Sequence, residues 1–388
     1  MYPTLSDLLL DLFGFNFPLP IQTFGFFMAV SFAAAYWFTN QELIRKEKAG
    51  KLVVQTKLIT INKPIEWTDY LLNIGIYTLI GYKLLEMVVD YDALVENPQH
   101  FILSSKGNFF GALIGAIFGY FEKFREAQKL KGKTITQVNQ TVHAHEHMGN
   151  ILGLAAIGGI LGAKLFHNLE NLDELMANPI ESLFSFSGLT FYGGLIVAAV
   201  LILRYTNKNG IAWYHMVDAA AVGLMMAYGI GRIGCHLSGD GDWGIVNLAA
   251  KPEALAFIPD WFWAFQYPHN VINEGVIIPN CIGNHCYMLP NPVFPTPLYE
   301  AIISIIVALV LWLLRKQFKW AGQLFFTYLI CNGIERFLIE KIRVNNAYHL
   351  LGYSFTQAEM ISFSLIIAGI VGLWWVKHQS QSNKAYIL

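Results

Sequence analysis

Apolar residues in this chain come in long unbroken runs rather than in alternating or striped patterns. Stretches near 20–38, 69–89, 107–121, 150–167, 188–204, 213–230, 296–314, 321–339 and 357–376 carry few charges. An α-helix needs about 17–25 mostly apolar residues to cross a bilayer. In lipid every backbone N–H and C=O must be satisfied within the segment, which a helix does unaided. The pattern therefore predicts an all-α, polytopic membrane helix bundle with about nine transmembrane helices. The runs at 107–121 and 188–204 are the shortest, so their ends are the least defined.

Composition supports a membrane protein. Of 388 residues, 55% are hydrophobic and 14% charged, and the mean hydropathy is +0.43. A soluble domain carries about 25% charged residues. The shortage excludes a disordered or nucleic-acid-binding chain, and the net charge of -1 gives no reason to expect a polyanionic partner. Ten Trp and 18 Tyr suit long contact with a lipid–water interface. The first twenty residues lack a basic start and contain Asp7 and Asp11, so no cleavable leader is expected.

The basic residues orient the bundle. Loops predicted on one side (39–68, 122–149, 204–212, 315–320 and the tail from 377) hold 18 Lys and Arg, against five on the other side. Basic loops stay in the cytoplasm, which places the N-terminus outside and the C-terminus inside.

The chain also contains a repeat. Gly81-Tyr-Lys-Leu84 recurs as Gly162-Ala-Lys-Leu165, and the same offset of 81 pairs Asp92, Leu94, Asn97, Pro98, Ser104 and Gly107 with Asp173, Leu175, Asn178, Pro179, Ser185 and Gly188. After one inserted residue, Phe109-Phe-Gly-Ala-Leu-Ile114 pairs with Phe191-Tyr-Gly-Gly-Leu-Ile196. Shared Asp, Asn-Pro and Lys positions argue for duplication of a helix pair in the same orientation, with 69–121 resembling 150–204 and 245–295 forming an extracytoplasmic segment.

Charge embedded in a membrane is costly and marks function or pairing. Here Arg232, Tyr192, Tyr299, Glu300, Arg336, Glu340 and Arg343, from four separate spans, all fall near the outer ends of their helices. Arginines at headgroup level suit a phosphate, because the guanidinium fork donates two hydrogen bonds and keeps its charge. Glycines around Arg232 let a ligand approach the backbone. Arg336, Glu340 and Arg343 follow helical spacing, so Glu340 is expected to brace both arginines.

These residues carry a resemblance. Gly231-Arg-Ile-Gly234 with the Gly- and Asp-rich turn after it, Phe191-Tyr-Gly-Gly-Leu195, Leu298-Tyr-Glu-Ala301 and Arg336-Phe-x-x-Glu340-x-x-Arg343 stand in the order of the prolipoprotein diacylglyceryl transferase signature. The resemblance covers about residues 150–377, with Phe24-Gly25 in the first span also similar. The chain departs from the family pattern in places. Cys235, His236, Ser238 and Asp240 occupy positions where the family usually reads Gly-Asn-Phe-x-Asn-x-Glu, and Asp242 is the alternative carboxylate. Tyr192 stands where the family often has His, and Phe24 where Tyr is common. The extra helix pair reads Phe110-Gly-Ala in place of Tyr192-Gly-Gly, so it is expected to be scaffold.

The resemblance implies transfer of the diacylglyceryl group from phosphatidylglycerol to the lipobox cysteine thiol in the signal peptide of a prolipoprotein, giving a thioether and glycerol phosphate. It implies a bacterial inner-membrane enzyme whose active site faces outward, with membrane lipids around it and no nucleic acid, cofactor or metal. Arg232 and Arg336 are the expected stabilisers of the leaving phosphate. Gly193, Gly194, Gly231, Gly234, Ser238, Tyr299, Glu300, Glu340 and Arg343 are expected to bind substrate. The base stays open among His236, Asp240 and Tyr192, or the arginines alone lower the thiol's pKa. A transporter and an inactive scaffold of the same fold are the competing classes. His143, His145 and His147 are expected in a solvated loop, with a metal site as the alternative, and Cys281 and Cys286, flanking His285, as a disulfide or, with His269, a metal site.

Overall fold

The computed structural model describes residues 1–15, 21–96, 101, 104–179, 182, 190–345, 347–350 and 353–382. Among them, nine helices of at least 18 residues follow the predicted runs: α1 (Thr23–Lys48), α2 (Trp67–Val89), α3 (Phe109–Leu130), α4 (Met148–Glu170), α5 (Phe191–Lys208), α6 (Trp213–Ser238), α7 (Thr296–Leu314), α8 (Gln323–Glu340) and α9 (Gln357–Ser382). Five of these, α2, α4, α6, α7 and α9, are long and apolar enough to cross a membrane. The outward faces of the helices are greasy, with Leu72, Leu79 and Val88 of α2 more than two-thirds exposed. No water-soluble fold presents such a surface, and lipid is its natural solvent.

Two helices outrun their apolar stretches. α1 continues to Lys48 through Arg45, Lys46 and Lys48, and α3 continues to Leu130. Good helix formers and terminal cations extend both past the hydrophobic run. The protein is mostly helical rather than strictly all-α. Small antiparallel ribbons join Val276–Ile277 to Tyr287–Met288 and Ala347–Leu350 to Tyr353–Thr356.

The chain divides into two compact units, one of residues 2–23 and 56–141 and one of Met1, 24–55 and 142–388. The first holds α2 and α3, the second α4 and α5, and the two helix pairs match in detail. α2 ends at Val89 and a short helix follows at Tyr91–Glu96; α4 ends at Glu170 and Leu172–Ala177 follows, each at the offset of 81. The amide of Asn108 donates to the Tyr82 carbonyl at 2.9 Å, and that of Thr190, at the shifted register, donates to Ala163 at 3.1 Å. Gly81 crosses Gly111 so closely that a Cβ on it would lie 2.2 Å from the Gly111 carbonyl oxygen; Gly162 stands 2.5 Å from Gly193 in the same way. Small residues at helix crossings are how membrane helices approach without a hydrophobic drive. Of the repeated positions, Asn97, Pro98, Ser185 and Gly188 lie outside the described residues.

Lys83 has a structural use. Its ammonium donates to the carbonyls of Phe101, Ser104 and Lys106 at 2.6–3.0 Å, closing the α2–α3 connection. The equivalence of the crossings makes a prediction. Gly162→Ala is expected to destabilise the larger unit by about 1–3 kcal/mol, the cost of overpacking. Gly81→Ala should cost a similar amount in the smaller unit, and thermal unfolding checks both.

The larger unit is built on α6. Its face meets α1 through Gly223 and α7 through Gly229. Val222, Met225, Ala308, Leu311 and Leu324 form the apolar centre between α6, α7 and α8. Because α7 and α8 also border α6, the C-terminal end of α6, the N-terminal end of α7 and the C-terminal end of α8 meet at one end of the bundle.

The histidine loop is more ordered than its composition indicates. Ala144–His147 forms a 3-10 turn that leads into α4. His143 pairs with Glu47 at 2.6 Å, and His147 is buried with Nδ1 2.8 Å from the Tyr205 hydroxyl. These contacts replace the expected solvated loop.

Candidate functional site

Three of the four polar segments, those of α6, α7 and α8, converge, and around a centre other than the expected one. Glu300, on the first turns of α7, is fully buried and gathers the charge. Its Oε2 accepts from Arg232 Nε at 2.5 Å and from the Tyr228 hydroxyl at 2.8 Å. Its Oε1 meets Arg336 at 3.2 Å and Arg343 at 3.0 Å. One carboxylate thus aligns three guanidiniums drawn from α6, α8 and the turn after α8. Arg232 also lies over the Tyr228 ring, 5.1 Å from its centroid.

Asp242 closes the opposite side. It pairs with both Arg232 and Arg343 and is a third exposed, whereas Glu300 is fully enclosed. The backbone holds it there. The Gly244 amide donates to Phe294, the Ile245 amide to Ile342, and the Thr296 hydroxyl to the Asp242 carbonyl. Burial works to raise the Asp242 pKa, but Arg232 and Arg343 outweigh it and hold its carboxyl below the ordinary value. Asp240 forms no ion pair with an arginine among the described residues. Its Oδ1 accepts the Asp242 amide at 3.3 Å, and burial, with the charge of Asp242 added, pushes its pKa up.

Glu340 does not brace two arginines. It lies 3.3 Å from Arg336, while its Oε1 accepts from Asn345 and Thr356 at 2.6 Å each. The helix ends at Glu340, so Arg343 leaves the helical phase and turns to Glu300 and Asp242 instead.

The remaining expected residues fall outside this knot. His236 is buried with Nδ1 3.1 Å from the Tyr267 hydroxyl, and Ser238 donates back to the Cys235 carbonyl. Tyr299 donates to the Phe262 carbonyl at 2.6 Å, anchoring the segment 245–295. Tyr192 is 38% exposed on the first turn of α5. Gly193 and Gly194 are small because α4 crosses there: a Cβ on Gly193 would meet Phe166 and the Gly162 carbonyl, and one on Gly194 the Gly159 carbonyl. Gly234 packs against Phe27 of α1, whereas Gly231 faces open space.

Two residues escape a sequence reading. Tyr228 looks like one more interfacial aromatic until the fold sets it beside Glu300. Glu335 is 3% exposed with both carboxylate oxygens buried and without a hydrogen-bond partner, next to Arg336 in the chain. Its signal was available as the one acidic residue within the eighth apolar run.

Cys281 and Cys286 form a disulfide with Cα atoms 5.6 Å apart, which settles that pair. Cys235, Asp240 and Asp242 place ligand atoms within 4.8 Å of one another. A cation there would have to displace two guanidiniums from Asp242, so the charges present favour an anion.

Three guanidiniums fixed at one end of a membrane bundle, one carboxylate enclosed behind them and another at the open side, can hold a phosphate ester and stabilise charge on it. The family model for prolipoprotein diacylglyceryl transferase matches residues 126–375. The chain is 28% identical over 271 residues to the phosphatidylglycerol–prolipoprotein diacylglyceryl transferase of Shouchella clausii, covering 68% of this chain and 85% of that one. It is 29% identical over 219 residues to the enzyme of that name from Halalkalibacterium halodurans, covering 56% and 67%. Against the one from Leptospira interrogans it is 26% identical over 272 residues, covering 58% and 77%.

Proposed function

The chain belongs to the prolipoprotein diacylglyceryl transferase family, and we propose from that premise how its arginine cluster performs the transfer. The enzyme moves the diacylglyceryl group of phosphatidylglycerol onto a prolipoprotein. The acceptor is the thiol of a lipobox cysteine. Sulfur attacks the glycerol carbon that bears the phosphate ester, the C–O bond breaks, and glycerol phosphate leaves with the bonding pair. Negative charge grows on the phosphate in the transition state, and Arg232, Arg336 and Arg343 are already aimed at one point to meet it.

The observation that carries this reading is the asymmetry of the two carboxylates. Glu300 is enclosed and touches all three arginines, so it positions them permanently. Asp242 bridges Arg232 and Arg343 from the more exposed side. The phosphate takes the place of Asp242 on those two forks, which keeps the buried guanidiniums paired before and after the lipid arrives. Gly231, open beside Arg232, leaves room for the headgroup.

Asp240 takes the thiol proton. It is the carboxylate beside the cluster that forms no ion pair with an arginine among the described residues, and its raised pKa makes it a better base than an ordinary aspartate. The acid limb of kcat/KM should rise as Asp240 loses its proton, at a pH above the usual carboxylate range. Asp240→Asn should remove that limb and lower kcat about 10²–10⁴-fold. A pH–rate profile that keeps its limb in Asp240→Asn would reject the assignment.

The nine long helices all serve as spans, with the N-terminus outside, the C-terminus in the cytoplasm and the site facing outward in the bacterial inner membrane. The split of 18 against five basic residues supports this orientation. The test of function is complementation of a strain depleted of its own transferase. Growth and lipidated prolipoprotein with the wild-type chain are expected; stable expression without lipidation would favour the inactive-scaffold reading.

A further inference from the structure

The end of the bundle opposite the arginine cluster has its own group of buried charges. The last turns of α1 bring Glu42, Arg45 and Lys46 there, and Lys51 follows just after the helix. His215 and Asp218 come from the first turns of α6, and Arg315 from the end of α7. Together they line a narrow cavity that opens to solvent.

Four cations face two carboxylates in this cavity, and the carboxylates are fully used. Asp218 accepts from Lys46 at 3.0 Å and from the amides of Gly322 and Phe325 at 2.8 and 2.9 Å, capping α8. Glu42 accepts from Arg45 at 2.8 and 2.5 Å, and Arg315 stands 3.5 Å away. The Lys51 amide donates to the Lys46 carbonyl at 2.9 Å, while its ammonium has no hydrogen bond or ion pair among the described residues. Burial, together with the charges of Lys46 and Arg45, pulls its pKa below the ordinary lysine value. Independently, His215 is only 7% exposed, borders the cavity, and has a buried Nδ1 with no partner. An unpaired ammonium beside an unsatisfied ring nitrogen at the wall of an electropositive cavity points to an anion with acceptor oxygens.

We propose that the open mouth of this cavity is a second phosphate site, occupied by the phosphate of an anionic phospholipid headgroup in the leaflet away from the active site. The placement at the helix ends puts the cations at headgroup depth, where clustered Lys and Arg recognise anionic lipid. The surplus of positive charge matches one phosphate group. Lys51 and the His215 ring supply contacts that the protein leaves unmade. Free phosphate offers the same oxygens, so the experiment separates the two sources.

The experiment uses the purified full chain in phosphatidylcholine nanodiscs doped with phosphatidic acid, with bound lipid counted by native mass spectrometry. Wild type, Lys51→Arg and Lys208→Ala should retain phosphatidic acid equally. Lys208 is the control because it is an exposed cation at the same end of the bundle. Lys51→Ala should bind about fivefold more weakly, the effect expected for one basic residue near the surface. Added inorganic phosphate that leaves the lipid in place assigns the site to a headgroup; displacement of the lipid assigns it to free phosphate. Equal retention by Lys51→Ala and wild type would overturn the proposal. So would an equal loss in Lys208→Ala, which would reduce the effect to general surface charge.

Discussion

Arg336→Ala is expected to lower kcat/KM for diacylglyceryl transfer about 10²–10³-fold, the usual effect of removing one preorganised donor to developing charge. The protein should stay folded. Without Arg336, Glu300 keeps Arg232, Arg343 and Tyr228, and Glu340 keeps Asn345 and Thr356. The loss should therefore appear in the rate rather than in thermal unfolding. Arg336→Lys should recover only part of the activity, because an ammonium presents a point charge where the fork presents two aligned donors. Initial rates with phosphatidylglycerol and a peptide acceptor give the answer, and full activity in Arg336→Ala would remove the phosphate-clamp account.

The second large effect belongs to Glu300→Ala, which should fail in both stability and activity. Glu300 is fully buried and touches three guanidiniums and a tyrosine. Truncating it leaves Arg232, Arg336 and Arg343 repelling one another in a low-dielectric site. Breaking a buried ionic network in this way costs about 3–5 kcal/mol. Glu300→Gln keeps one acceptor oxygen and nearly the same shape, so it should retain more stability than alanine while losing most activity. Thermal unfolding of the detergent-purified variants, measured beside transfer rate, separates the two contributions. A Glu300→Ala protein as stable as wild type would show that the arginines are held by something else.

Much of this architecture was legible before any coordinates. Spans are readable because lipid permits few backbone solutions, and a run of apolar residues fixes the element. The repeat was readable because helix crossings keep their small residues: Gly81 with Gly111 and Gly162 with Gly193 are the same contact twice. Three arms of the site were legible from charges stranded in apolar sequence. Which carboxylate holds which arginine was not. Helical spacing assigned Arg343 to Glu340, but the helix stops at Glu340 and the chain turns Arg343 toward Glu300 and Asp242. The choice between Asp240 and Asp242 depends on a turn whose glycines, Gly239 and Gly241, take left-handed backbone angles. No periodicity carries through such a turn. At Gly193 and Gly194 the residue type is ambiguous in the converse way, since packing against α4 and approach of a ligand demand the same residue.

The central claim is that the arginine cluster drives departure of a phosphate ester from carbon. It is tested most directly by following both products of one reaction, with purified protein in phosphatidylglycerol vesicles and a synthetic peptide bearing a lipobox cysteine. The account predicts peptide carrying a diacylglyceryl thioether and free glycerol phosphate in equal amounts, with both formed at least about a hundredfold more slowly in Arg232→Ala and Arg336→Ala. Lipidated peptide without glycerol phosphate, or undiminished amounts of both from the arginine variants, would contradict it.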